Sequence, residues 1–336
     1  MINSLPTSRE TVFSIAPMMD WTDRYCRAFH RSLTRRALLF TEMVTSGAVV
    51  FGNRERLLAF DPAEEPLALQ LGGSDPAELG EAARIAAELG YRAVNLNCGC
   101  PSDRVQKGRF GACLMAEPEL VRACVEQMAA ASGLPISVKC RIGIDDQEDY
   151  ADLLCFVDCV SQGGVSTFYV HARKAWLKGL SPKENREIPP LRYEVVERLK
   201  AERPGLCIHL NGGLLSLDQA AAALTWADGV MLGRAAYQDP FLLAKVDSRI
   251  FDAPDPLSSR ADCIEHLVVL ADRILADGGK IKDLARHTLG LMNGLPGARA
   301  WRRTVSEGMR DPNADSDLFR QAFAPVREGV DPAEAA

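Results

Sequence analysis

The chain has 336 residues, 47% of them hydrophobic and 25% charged, with a formal net charge of −6. That is an ordinary globular balance, large enough to bury a sizeable core as one large domain or a large and a small one. No apolar run approaches the roughly 20 residues that span a bilayer, and MINSLPTSRE has no basic patch followed by an apolar stretch, so neither membrane nor secretory signal is expected and a cytoplasmic location is the default.

In chain order, short apolar runs alternate with longer helical patterns. The runs are FSIAP (13–17), LLFTEM (38–43), LALQLG (67–72), AVNLNCG (93–99), ISVKCRI (136–142), TFYVHAR (167–173), CIHLNGG (207–213) and GVMLGRA (229–235). They lack strict alternation, as parallel strands covered on both faces do. Between them lie helices such as 76–90, with Asp75 as N-cap, and 118–133, opened by Pro118 and stopped by Gly133. Eight β-then-α units predict an α/β fold, the (β/α)₈ TIM barrel. A doubly wound sheet is the competitor, weakened because no GxGxxG follows the first strand. After Asp247 the strands stop. Residues 258–278, 280–309 and 314–325 read as amphipathic helices, with DAPDP at 252–256 as linker. The expected division is a barrel at 1–249, a small helical domain at 250–325 and a disordered tail at 326–336.

Ten cysteines are spaced irregularly, with no paired CxxC sets to suggest a metal. Cys155, Cys159 and Cys207 sit in apolar runs and read as buried thiols. Cys98 and Cys100 differ, because NLNCGCP places them at a strand end among Asn, Gly and Pro.

Active sites of this barrel lie at the C-terminal ends of the strands. Here those ends carry Pro17, Met18, Met19 and Asp20; Thr41 and Glu42; Gln70; Asn95, Asn97, Cys98 and Cys100; Lys139 and Arg141; His171 and Arg173; Asn211, Gly212 and Gly213; and Gly233 and Arg234. Each alone has an ordinary explanation, and a lone His171 is more often a satisfied structural histidine. Eight polar strand ends on one side are harder to dismiss. Lys139 inside an apolar strand is costly unless something anionic or electron-rich meets it. Loops after strands seven and eight are the usual phosphate site, and NGG and GR suit one phosphate, so FMN fits better than a dinucleotide. Met18 and Met19 would suit the edge of a flat ring.

Net negative charge argues against a nucleic-acid partner. The charge is segregated, however. Residues 171–203 hold nine Lys/Arg against five Glu, and 260–310 hold nine Lys/Arg against six Asp/Glu. Segments of +4 and +3 on a total of −6 leave −13 on the remainder. Such segments could form a face for phosphates, although counts alone favour ordinary scatter.

SIAPMMDWTD (14–23), NLNCGCPSDRVQKGRFGACLM (95–115), VKCRIG (138–143) and HLNGG (209–213) resemble the tRNA-dihydrouridine synthases. HARKAWLKGLSPKENREIPPLRY (171–193) and PGARAWRR (296–303) resemble the A subfamily. The resemblance spans residues 12–325. It implies an FMN enzyme that reduces the C5–C6 bond of uridines 20 and 20a in the tRNA D-loop, with NADPH as reductant. It also implies a C-terminal helical tRNA-binding domain. The family's flavin contacts map onto Pro17, Met18, Met19, Gln70, Lys139, His171, Asn211, Gly212, Gly213, Gly233 and Arg234. Its acid maps onto Cys100, and its tRNA contacts onto Asn97, Lys183, Arg186, Arg299 and Arg302. The implied chemistry is hydride from flavin N5 to C6 and a proton from Cys100 to C5, with the target base flipped out. An ordinary thiol, with a pKa of about 8.5, keeps its proton at neutral pH. Cys98 is the rival acid. Trp176 and Trp301 could stack on bases, though core packing is at least as good a reading. A monomer is the default. A flavin ene-reductase for a free small molecule and a non-catalytic tRNA chaperone are the alternatives. The basic residues argue against the first, and the intact strand ends with Cys100 against the second.

Overall fold

The structure, a computed structural model, describes residues 12–147 and 150–326. The tail expected to be disordered lies, from residue 327 on, outside the described residues.

Eight strands form where the apolar runs predict them: β1 Val12–Ile15, β2 Leu39–Thr45, β3 Leu67–Gly72, β4 Val94–Cys98, β5 Ile136–Arg141, β6 Thr167–His171, β7 Cys207–Asn211 and β8 Gly229–Leu232. All pairings are parallel, in the order β1-β8-β7-β6-β5-β4-β3-β2. The sheet closes on itself: Ser14 bridges Leu38, Ile15 N–H donates to Leu38 O at 3.0 Å, and Leu38 N–H donates to Phe13 O at 2.9 Å. This is the (β/α)₈ barrel. Its interior is packed solid. Tyr169 on β6 meets Phe40 on β2 edge-on, with centroids 5.2 Å apart, beside Ala68 and Met231. A contact between strands so far apart in sheet order has to cross the barrel, so these residues mark its inner face.

The helix expected after β3 runs Pro76–Glu88, and Asp75 accepts from Glu78 N at 2.8 Å as its cap. The next runs Pro118–Ser132 and ends at Gly133, whose φ of +66° is the left-handed stop.

By contacts the described residues fall into two units, one within Met1–Asp20 and Leu38–Gly233, the other within Trp21–Ala37 and Arg234–Ala336. Helix Arg24–Leu33, though it follows β1, groups with the C-terminal helices because it buries Cys26, Phe29, His30 and Leu33 there. Asp23 caps it, accepting from Tyr25 N and Cys26 N, and also meets Arg286 and His287. Buried Asp247 accepts from Thr34 Oγ1 at 2.5 Å and from Arg35 N at 2.8 Å, fastening the helix's far end. The second unit also holds helices Arg260–Ala276, Ala298–Gly308 and Asp317–Phe323. The stretch 280–309 is not continuous helix. It is helical at Ile281–Ala285, then turns through Gly290, Gly294, Pro296 and Gly297 before Ala298. Three glycines and a proline in eight residues outweigh the apolar periodicity. Trp301 is fully buried, donates to Thr288 O at 3.0 Å and packs on Phe319, so it is core and not a base-stacking surface. Among the described residues no helix is long and apolar enough to cross a membrane.

Candidate active site

Side chains alternate faces along a strand, and residues in register on neighbouring parallel strands share a face. Asn97, Lys139, Tyr169 and His209 are in register, so they share the inner face marked by Tyr169. Two residues on, Arg141, His171 and Asn211 form the next inward row, at the strands' C-terminal ends.

A chain of buried amides links β2 to β5. Thr41 Oγ1 accepts from Gln70 N, Gln70 Nε2 donates to Asn95 Oδ1 at 2.7 Å, and Asn95 Nδ2 donates to Ser137 Oγ at 2.9 Å. Asn97 Nδ2 donates to Gln70 Oε1 at 2.9 Å, and its Oδ1 accepts from Gly99 N at 3.1 Å and Cys100 N at 2.9 Å. The Asn97 amide is thus engaged within the protein at both ends. It anchors the turn that presents Cys100, in the manner of an Asx turn. Downstream, Cys100 O accepts from Ala112 N at 2.9 Å. Gly111 permits that approach: its φ is +76°, and a Cβ there would stand 2.6 Å from Cys100 O. Cys100 is half-buried, with Sγ 3.6 Å from Ser102 Oγ. Cys98 points to the other face. It is wholly buried, and burial pushes its thiol well above the ordinary range.

Sequence reasoning noted Arg141 at a strand end but gave it no part. The structure makes it a hub. The residue is 3% exposed, and its guanidinium donates to Gly99 O at 2.9 Å, Lys174 O at 3.1 Å and Asn185 O at 3.0 Å. One side chain therefore ties the cysteine turn to the segment after β6. Fully buried Asn185 fastens that segment again, accepting from Trp176 N and donating to Trp176 O and Leu180 O. Only the charge inside an apolar strand could have signalled Arg141. For Asn185 no sequence signal existed.

Lys139 Nζ donates to Asn211 Oδ1 at 3.1 Å, and Asn211 Nδ2 donates to Met231 O at 2.7 Å. Burial, then the Arg141 charge, pulls Lys139 down to about 8. Burial and the neighbouring Arg141, Lys139, Arg173 and Arg186 hold His171 well below the usual histidine range, so its imidazole is neutral. The groups that shift Lys139, Arg141 and His171 are cations and thiols, never carboxylates. A buried cluster of cations without acids is matched to an anionic ligand. Gly212 has φ +109°, and a Cβ there would meet His171 at 2.4 Å, so only glycine fits between that ring and the β7 exit. Pro17 and Met18 are half-buried, and Met19 is 54% exposed. A Cβ at Gly233 would make ordinary contact with Ala16 Cβ at 3.8 Å and Met18 Sδ at 3.9 Å. The structure thus brings Gln70, Asn97, Lys139, His171 and Asn211 together through register and hydrogen bonds. These residues fit FMN. The cation cluster would meet its charge, and Gly212 and Gly213, with no Cβ over their amides, would offer N–H groups to a phosphate. Arg234 begins helix Arg234–Gln238 and belongs by contacts to the second unit.

The model of the dihydrouridine synthase family matches residues 14–324. This chain belongs to the dihydrouridine synthase family. It is 57% identical over 310 residues to a tRNA-dihydrouridine(20/20a) synthase of Xanthomonas axonopodis pv. citri (strain 306), covering 92% of each chain. It is 51% identical over 319 residues to one of Vibrio vulnificus (strain CMCP6), covering 95% of this chain and 98% of that one. It is 52% identical over 310 residues to one of Synechocystis sp. (strain ATCC 27184 / PCC 6803 / Kazusa), covering 92% and 93%.

Of the cations expected to meet RNA in this family member, Lys183 and Arg186 are exposed on the segment that Arg141 and Asn185 secure. Arg299 and Arg302 are exposed on helix Ala298–Gly308, and Arg302 donates to Asn293 Oδ1 at 2.8 Å. Trp176 is 37% exposed, with Lys174 Nζ 4.2 Å over its ring.

Proposed function

We propose that this chain reduces uridines 20 and 20a of the tRNA D-loop to 5,6-dihydrouridine, using bound FMN and NADPH, as a cytoplasmic monomer. The observation that carries this reading is Cys100. It is a half-buried thiol held by Asn97 at the rim of a barrel mouth where Lys139, Arg141 and Arg173 act on His171. Mapping dihydrouridine in tRNA from cells with and without the gene tests it. Loss of the modification at 20 and 20a is expected, and an unchanged map would refute the activity.

Pro17, Met18, Met19, Gln70, Lys139, His171, Asn211, Gly212, Gly213, Gly233 and Arg234 would hold FMN. Bound FMN supplies a hydride for C6 of the base. The protein must supply a proton for C5, and Cys100 holds one on Sγ. Asn97 and Arg141 together fix the Gly99–Cys100 peptide that leads into that thiol. Neutral His171 can donate a hydrogen bond to an anionic ligand without the cost of a further buried charge. A uridine inside a folded tRNA must leave its stack to reach the site, so affinity has to come from the RNA backbone. Lys183, Arg186, Arg299 and Arg302 are offered for that.

Arg299→Ala with Arg302→Ala is therefore expected to weaken tRNA binding and to flatten the slope of log affinity against log salt by about 1.5 for two lost phosphate contacts. Titrations at several salt concentrations measure both. An unchanged slope would remove these residues from the RNA contact.

Lys139 predicts a pH effect on cofactor uptake. A negative ligand favours the charged amine, whereas the empty site titrates it near 8. Above that pH, binding must take up a proton. FMN affinity of the apoprotein should thus hold steady below pH 8 and fall as pH rises beyond it. Lys139→Met should remove the dependence, as fluorescence titration of FMN would show.

A further inference from the structure

A pocket of about 290 Å³ opens beside the β5 and β6 exits, lined by Tyr150, Lys174, Trp176, Pro189, Pro190 and Arg192 among others. It plays no part in the chemistry above. Its floor is built, not incidental. Ile144 bridges Ala175, with Ala175 N–H donating to Gly143 O at 3.0 Å and Asp145 N–H to Ala175 O at 2.9 Å. Asn185 holds the Trp176 backbone at both its N–H and its C=O. Arg141 holds Lys174 O while it also holds Gly99 O, so one residue fastens both the pocket and the cysteine turn. Lys174 follows His171 by three residues, a reach of at most about 11 Å along the chain.

The lining has a specific chemistry. The Trp176 indole, the Tyr150 phenol, Pro189 and Pro190 are among its lining, planar apolar surface of the kind that takes a base; Arg198 already lies 3.9 Å over the Tyr150 ring, so Trp176 is the ring assigned to it. Two cations stand among them. Arg192 pairs with Glu194 at 3.1 Å, but both side chains are about half exposed or more, and such a pair is worth under about 1 kcal/mol. A phosphate monoester, carrying about −1.5 to −2 charges, outcompetes one exposed carboxylate. The volume sits at the lower edge of the roughly 300–1,000 Å³ of small-molecule sites, which suits one nucleoside phosphate and not a whole dinucleotide.

We propose that this pocket binds a phosphorylated nucleoside, its base against Trp176 and its phosphate between Lys174 and Arg192. Two sources share that chemistry: the 2′-phosphoadenosine end of NADPH and a nucleotide of the tRNA. The reductant is the source we assign, which rests on the NADPH reading above. The pocket then selects NADPH over NADH through the 2′-phosphate, with the nicotinamide end directed toward the barrel mouth.

The test uses the flavin-loaded protein and the double variant Lys174→Ala/Arg192→Ala, with flavin content and circular dichroism as folding controls. Calorimetry with adenosine 2′,5′-bisphosphate and with 5′-AMP reads the pocket directly. Anaerobic bleaching of the flavin by NADPH or NADH reads its use. The wild type is expected to prefer the bisphosphate. The double variant should lose at least about tenfold in affinity for bisphosphate and NADPH, with NADH and the rate at saturation unchanged. Trp176→Ala should weaken both adenosine probes alike. If the double variant instead loses tRNA affinity with NADPH kinetics intact, the nucleotide site stands and its source is the RNA. Unchanged affinity for the bisphosphate, NADPH and tRNA overturns the proposal. A wild-type flavin that NADPH does not reduce overturns the reductant reading separately, and the bisphosphate and tRNA titrations still judge the pocket.

Discussion

Replacing Cys100 with alanine should leave a yellow protein whose flavin is still reduced by NADPH but whose dihydrouridine output falls by about two to four orders of magnitude. That range is what a positioned general acid contributes. The side chain is half-buried and makes one hydrogen-bond contact, to Ser102, while the backbone that fixes the turn uses Asn97 and Ala112. Truncation therefore removes the proton source and leaves the scaffold. Anaerobic half-reactions separate the two steps: reduction by NADPH should match the wild type, and reoxidation by tRNA should be slow. Cys98→Ala is the control. It removes a small buried thiol from the opposite face, costs about 1 kcal/mol of stability and should leave activity near normal. Full activity in Cys100→Ala, or a severe defect only in Cys98→Ala, would sink the assignment.

Arg141→Met should damage both stability and turnover. Methionine fills much of the same space but donates nothing, so Gly99 O, Lys174 O and Asn185 O lose a partner together. Three such losses cost roughly 3–6 kcal/mol. Part of this is offset, because burial already pulls the guanidinium down to about 10, a shift of roughly 3 kcal/mol against keeping the charge inside. The difference is roughly 0–3 kcal/mol, or a fall of up to about 10 °C in Tm. Turnover should drop more than flavin binding, because the cysteine turn and the segment bearing Lys183 and Arg186 come loose from each other. Arg141→Lys keeps a charge but cannot reach three carbonyls, so it should rescue little. Normal kcat and KM for tRNA in Arg141→Met would show that the tie is merely structural.

All eight strands were legible because a strand covered on both faces must be apolar along its whole length, and that signature is local. The strand-end residues were legible because the barrel confines chemistry to one rim. Less could be read where a residue's partner is distant in sequence. The stretch 280–309 carries helical periodicity, yet Gly290, Gly294, Pro296 and Gly297 break it. Trp301 and Trp176 occupy similar basic contexts in sequence, but one is fully buried and the other 37% exposed. No composition rule separates them, since burial depends on what packs above.

By itself, then, the sequence determined the strand order, the rim on which polar groups collect, and the two thiols of NLNCGCP, with the family resemblance putting the acid on Cys100 and leaving Cys98 as its rival. Only the tertiary structure showed how differently the two are surrounded. Alternation along β4 turns Cys98 away from the barrel, where burial keeps its proton fixed, while Asn97 turns the chain so that Cys100 faces the open rim. It also gave Arg141 its part, because the three carbonyls that the guanidinium joins lie 33 to 44 residues away along the chain and meet only once the barrel has closed.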